Sequence, residues 1–102
     1  MPAPTSASKT AITVHVPPPL RGACDGAREL SLPASAATVR AVLAELERRY
    51  PALYRGVCDE TGAVRRHLNV FVNSSHVRER GGLETALAPG DVVIIMTAVS
   101  GG

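Results

Sequence analysis

The run Val92-Val93-Ile94-Ile95-Met96 constrains this chain more than any other stretch. Its side chains are apolar at odd and even positions alike, so a strand formed here has no face to give up freely to water. Such a strand belongs in the middle of a sheet, with a neighbour along each edge. Valine and isoleucine suit a pleated backbone, and Pro89-Gly90-Asp91 supplies the turn from which the strand starts. The last residues of the chain are of another kind. Ala98-Val99-Ser100-Gly101-Gly102 offers little side chain to a core, and two glycines without a Cβ are costly to order. The expectation is a thin tip, ending in an α-carboxylate and carried by the strongest strand in the chain.

The rest of the sequence is enough for one domain. Its 102 residues, 45% of them hydrophobic, make a single core that buries roughly two-thirds of the unfolded surface. Only Tyr50, Tyr54 and Phe71 are aromatic, so that core must be aliphatic. The net charge is +2, and the basic residues, ten arginines among eleven, are scattered. Nucleic-acid binders cluster such charge and interleave aromatics for stacking, so nucleic acid is not an expected partner. No apolar run approaches the ~20 residues of a membrane span. The first residues lack the charged-then-apolar layout of a secretory signal, which points to the cytoplasm. Cys24 and Cys58 are far apart in sequence with no CxxC spacing, and a cytosolic setting favours free thiols. His15, His67 and His76 show no metal-ligand spacing, so neither a metal nor a cofactor of its own is expected.

Taken in order, residues 1–10 read as a disordered lead. Ile12, Val14 and Val16 alternate with Thr13 and His15 to give a half-buried strand, which Pro17-Pro18-Pro19 ends. A connection over Leu20 to Ala27 leads to a second strand with Leu30 and Leu32 inward. Thr38 can cap a helix in which Val39, Val42, Leu43, Leu46 and Tyr50 form one stripe, with Glu45 and Arg49 at i, i+4 spacing on the surface. Pro51 stops that helix, Leu53 and Tyr54 add a short turn, and residues 55–66 read as a surface loop. Leu68, Val70 and Val72 face inward on a third strand, with Asn69, Phe71 and Asn73 outward. A short segment around His76 to Arg80 and the Gly81-Gly82 bend precede the last strand.

One helix cannot cover both faces of such a sheet, so it packs across one. A central last strand is best satisfied by a parallel first strand beside it, the rest of the chain forming the crossover. The expected fold is α+β: a β-grasp (ubiquitin-like) mixed sheet over residues 11–98, followed by a flexible tail at 99–102.

From Ile12 onward the chain resembles the ubiquitin-like sulfur carriers of the MoaD/ThiS family, and within it those serving cysteine synthesis in actinobacteria. The segments that carry the resemblance are Leu68-Asn69-Val70-Phe71-Val72-Asn73, Val77-Arg78 through Gly81-Gly82-Leu83, Gly90-Asp91-Val92-Val93-Ile94, and Ala98-Val99-Ser100-Gly101-Gly102. The tail departs from the pattern at Thr97 and Ser100, where proline and alanine would be expected. The resemblance implies a protein co-substrate rather than an enzyme. An E1-like adenylyltransferase/sulfurtransferase would use ATP to activate Gly102, and sulfur would then convert it to a thiocarboxylate. The acceptor would be a PLP-dependent cysteine synthase using O-phosphoserine, with a JAMM-type zinc peptidase releasing the product.

Val99, Ser100, Gly101 and Gly102 would enter the partner's active site; fully extended they reach about 13–14 Å. Phe71, with outward residues of the last strand, is a candidate docking patch, and Arg78 and Arg80 would steer an acidic partner. Two other readings share the tail: a ubiquitin-like modifier that ends on a target lysine, and a permanent small subunit such as that of molybdopterin synthase. Thiazole, molybdopterin or a sulfur-containing natural product are the alternative destinations of the sulfur.

Overall fold

The computed structural model describes residues 11–33, 35 and 37–97; the lead at 1–10 and the tail at 99–102 lie outside them. Strand β1 (Ala11–His15) and strand β2 (Glu29–Pro33) form an antiparallel pair with Ile12 opposite Leu32 and Val14 opposite Leu30. Their connection is more ordered than its sequence implies. Prolines at the first helical positions have no backbone N–H to waste, and a 3-10 segment runs from Pro18 to Cys24. Asp25, at φ 59, then turns the chain back.

Helix α1 (Val39–Arg49) begins where the Thr38 hydroxyl accepts the Ala41 N–H at 3.1 Å. Val39, Val42, Leu43 and Leu46 are buried, and Tyr50, the C-cap, is half-buried. The surface pairing reads as expected, with Arg49 Nε donating to Glu45 Oε1 at 2.8 Å.

Pro51 does end this helix, but it also starts another. Tyr50 leaves the helical region at φ −138, and Pro51 opens α2 (Pro51–Val57) from the N1 position. The expected surface loop at 55–66 is therefore shorter. Its first residues belong to α2, and Val57 and Cys58 are buried, at 0% and 2% exposure. Leu53 and Val57 both enter the core one turn apart, and Gly56 lets Leu20 of the 3-10 segment approach; a Cβ there would lie 2.8 Å from its Cδ2.

Strand β3 (Leu68–Val72) turns through Asn73 into the two-residue β4 (Ser75–His76), and β5 (Val92–Thr97) closes the sheet. The strand order is β2-β1-β5-β3-β4. As expected of an all-apolar strand, β5 is central. It runs parallel to β1, with Val14 opposite Val93, and antiparallel to β3, with Val70 opposite Ile95. The inner face carries Ile12, Val14, Leu30, Leu32, Leu68, Val70, Val72, Val93 and Ile95, all buried beneath α1 and α2. This is the β-grasp architecture.

Asn73 fixes how β5 enters. Its φ of 56 is the left-handed conformation that asparagine tolerates and a two-residue hairpin requires. Its amide Nδ2 donates to Asp91 Oδ1 at 3.2 Å, and its Oδ1 accepts the Val92 N–H at 3.1 Å. The β3–β4 turn is thereby tied to the first residue of the strand that leads to the tail.

Candidate functional site

Strand register determines what lies on the outer face of the sheet. His76, Phe71, Ile94, His15 and Glu29 stand directly opposite one another across β4, β3, β5, β1 and β2. The Phe71 and His76 rings meet edge-on with centroids 5.0 Å apart. At the other end of the row His15 Nε2 lies 3.1 Å from Glu29 Oε2. Next along β5 comes Met96, opposite Asn69 and 48% exposed, the large hydrophobic residue most open to water among the described residues. Phe71, Val92 and Ile94 are each half-buried. The helices cover the opposite face, so this apolar stripe along β5 and β3 is left facing outward.

Arg78 and Arg80 follow from β4. The backbone N–H of Arg78 donates to His76 Nδ1 at 2.9 Å, so the proton of the neutral ring sits on Nε2, which reaches Asn69 Oδ1 at 3.0 Å. That pair of bonds fixes the imidazole against Phe71 and starts the 3-10 turn Val77–Glu79. Arg78 and Arg80 are both exposed, and no carboxylate pairs with either among the described residues. The structure thus brings Phe71 together with His76 and Ile94, while the Arg78 side chain lines a groove beside the edge of the sheet.

The tail residues Val99, Ser100, Gly101 and Gly102 lie outside the described residues. Their point of departure is visible: Thr97, the last residue of β5, stands opposite Leu68, the first of β3. On the β1 side a groove of about 330 Å3, lined by His15, Val16, Pro17, Pro18 and Arg21, runs along Ile94 to Thr97. Arg21 is held there by its Nε, which donates to the Val16 carbonyl at 2.9 Å. Sequence reasoning assigned no role to Arg21 or His15, because their place beside the strand end follows from the β1–β5 pairing.

Neither thiol is set up for chemistry. Cys24 is 3% exposed and its single S–H is shared between the Arg21 and Ala27 carbonyls, which lie 3.5 and 3.6 Å from Sγ. Burial pushes the Cys58 thiol up, against the opposing effect of a hydrogen bond with Tyr54, and the nucleophilic thiolate is disfavoured. No group of three or more His, Cys, Asp or Glu is arranged to hold a metal among the described residues. The arrangement has an outward apolar stripe and a central strand that ends at Thr97, at the edge of the described residues.

A β-grasp sheet whose central last strand hands directly to a glycine-ended tail defines a ubiquitin-like carrier class. The chain belongs to the ThiS family of ubiquitin-like sulfur carriers: the family pattern matches residues 21–102. It is 40% identical over 93 residues to the sulfur carrier protein CysO of Mycobacterium tuberculosis, covering 89% of this chain and 98% of that one. The crystal structure of that protein superposes with a TM-score of 0.77 at 39% identity, over 86% of this chain and 99% of the other. A chain of the Amycolatopsis orientalis BexX/CysO complex matches with a TM-score of 0.78 at 35% identity, over 90% and 100%. Small archaeal modifier protein 3 of Haloferax volcanii is 42% identical over 66 residues, 65% of this chain and 71% of that protein. These relatives are carriers and modifiers rather than catalysts, and the chain is not an enzyme.

Proposed function

We propose that this chain carries sulfur on Gly102 and delivers it, in the cytoplasm, to an enzyme that makes cysteine from O-phosphoserine. A terminal carboxylate, with a pKa of about 3.3–3.7, is ionised at neutral pH and a poor electrophile. An E1-like partner overcomes this by joining it to the AMP moiety of ATP with loss of pyrophosphate. A sulfur nucleophile then displaces AMP, leaving a thiocarboxylate whose sulfur attacks the acceptor. The cofactors belong to the partners, ATP to the activating enzyme and PLP to the synthase. A JAMM-type zinc peptidase would free the product from the carrier.

The observation that carries this reading is the central β5, which ends at Thr97 opposite the first residue of β3 and passes directly into the residues of the Gly-Gly tail. The family pattern runs through that tail, and the similarity to sulfur carrier protein CysO covers most of both chains. Val99, Ser100, Gly101 and Gly102 enter the partner's active site. Phe71, with Ile94 and Met96, docks the globular part, and Arg78 and Arg80 steer it towards acidic surfaces.

The similarity to an archaeal modifier favours one second reading, attachment of Gly102 to lysines of other proteins. Lys9 is this chain's single lysine, which makes self-linked chains a poor prospect. The deciding experiment is intact-mass measurement on protein from its own host, prepared without reductant or alkylating agent. A fraction heavier by one oxygen-to-sulfur exchange, mapped to the C-terminal peptide, is expected. A plain carboxylate throughout, even after ATP and the activating enzyme are supplied, would overturn sulfur carriage. Lysine adducts bearing this C-terminus would support modification instead.

A further inference from the structure

We propose that a preformed basic groove beside β3 is a second docking site, which takes an acidic segment of a partner protein and seats one of its aliphatic side chains between two carboxylates. The groove, of about 450 Å3, forms where three segments converge: residues 63–66 ahead of β3, residues 76–78 at the end of β4, and Gly82-Leu83. Leu68 and Val70, at 4% and 1% exposure, are its closed floor and offer a ligand almost nothing. The apolar surface within reach is that of Ala63, Val64 and Leu83. Each segment is held by hydrogen bonds of its own. The Arg65 N–H donates to the Val57 carbonyl at 2.9 Å, and the Arg65 carbonyl accepts the Leu68 N–H at 3.0 Å, so Val64 and Arg66 flank a pinned residue. The Thr85 hydroxyl accepts the Gly81 N–H at 3.0 Å and donates to the Gly82 carbonyl at 2.7 Å, which fixes the turn that presents Leu83. Arg78 follows His76, whose ring nitrogens are both engaged. A surface that needs little reordering on binding keeps more of its contact energy as affinity.

Charge selects the occupant. Arg65, Arg66 and Arg78 line the groove and no acidic residue does. Arg65 is already committed, its Nε donating to the Arg55 carbonyl at 2.9 Å. On helix α1 the arginines have partners: Arg40 pairs with Glu84, and Arg48 and Arg49 pair with Glu45. Arg66 and Arg78 are exposed, and no carboxylate pairs with either among the described residues. A guanidinium is a planar fork that matches a carboxylate through two hydrogen bonds, so two such groups on separate segments suit two acidic side chains. An inorganic anion would satisfy the arginines but leave Ala63, Val64 and Leu83 in water. A wholly apolar ligand would leave the arginines unmatched. An acidic segment with a leucine between its carboxylates satisfies both. Phe71, Ile94 and Met96 do not line this groove, which is therefore separate from the outer face, and the proposal does not depend on sulfur transfer.

The test titrates the 15N-labelled full chain with the acetylated and amidated pentapeptide Glu-Asp-Leu-Asp-Glu. One control peptide replaces leucine by serine, and another replaces every acidic residue by lysine. Saturable shifts centred on the amides of Val64, Arg66, Arg78 and Leu83 are expected. The serine peptide should bind at least ~fivefold more weakly, because the aliphatic group it lacks leaves the recess unfilled, and the lysine peptide should not bind. Charge reversal in Arg66→Glu/Arg78→Glu should weaken the leucine peptide at least ~tenfold while far-UV circular dichroism stays unchanged. Absence of saturable binding, equal binding of either control, parent affinity in the charge-reversed variant, or shifts centred on Phe71, Ile94 and Met96 would overturn the proposal. So would the same groove shifts on concentrating the chain alone, which would mark an acidic surface of a second copy as the occupant.

Discussion

Under the proposed function Phe71 and Gly101 would serve different ends. Phe71 is half-buried between His76 and Ile94, so replacing it disturbs little of the core but removes the phenyl ring from the outer face. Phe71→Arg is expected to leave the melting temperature nearly unchanged. Its affinity for the activating enzyme should fall by roughly 2 kcal/mol or more, the loss typical of a central aromatic anchor. Calorimetric titration that returned the parent affinity would remove this patch from the docking surface. In the proposed function Gly101 would act by having no side chain. Gly101→Val should slow sulfur loading about 100-fold, the scale of effect of a misplaced reacting group, with stability within about 0.5 kcal/mol of the parent. Loading at the normal rate would show that no narrow channel receives the tail.

At the scale of elements, legibility followed periodicity. Strands β1, β2, β3 and β5 and helix α1 were readable because their apolar residues recur at intervals of two or of three and four, and Thr38 announced the helix start. Thr38→Ala should cost about 1 kcal/mol, read as a lowered urea midpoint, because the Ala41 N–H loses its acceptor. Helix α2 was hidden by its own first residue. A proline that ends one helix is equally suited to begin the next, and two buried residues in a seven-residue helix leave a weak pattern. Leu53→Ala tests how much that helix matters: a fully buried leucine should cost ~2–5 kcal/mol, where a surface turn would lose almost nothing. Of the candidate site, the outward position of Phe71 was legible as strand parity, while the tail at 99–102 lies outside the described residues. The groove beside β3 was not legible, because it exists only where β4 stops after two residues, and sequence does not show where a ladder ends.

At the scale of the whole molecule, the core is aliphatic, and three groups whose titration their surroundings displace contribute to its response to pH. Glu45 is held below the usual carboxylate range first by Arg49 and then Arg48, and Asp59 by the hydroxyl and N–H of Thr61. A depressed folded-state pKa adds stability above the unfolded value, lost as pH falls through the folded one. Both carboxylates are at the surface, so the acid limb should be shallow and confined to below about pH 4. Cys58 has the opposite sign. Burial raises its folded-state pKa, so its contribution is complete below the unfolded pKa of about 8.5 and disappears as pH rises beyond it. Urea midpoints should fall on the alkaline side, and Cys58→Ala should flatten that alkaline limb.

The central position of β5 also governs which molecules have a finished surface. The sheet is completed only when residues 92–97 slot between β1 and β3, so its middle joins the two ends of the described chain across a long loop closure. Contacts of such sequence separation form slowly, and nothing upstream can substitute for the missing strand. A polypeptide broken off anywhere before that strand has no assembled outer face to offer. Under the proposed function, fragments lacking β5 would be unable to occupy the activating enzyme as inert competitors. On that proposal, surface and cargo-bearing end would be acquired together, and folding would act as a proofreading step on the length of the chain.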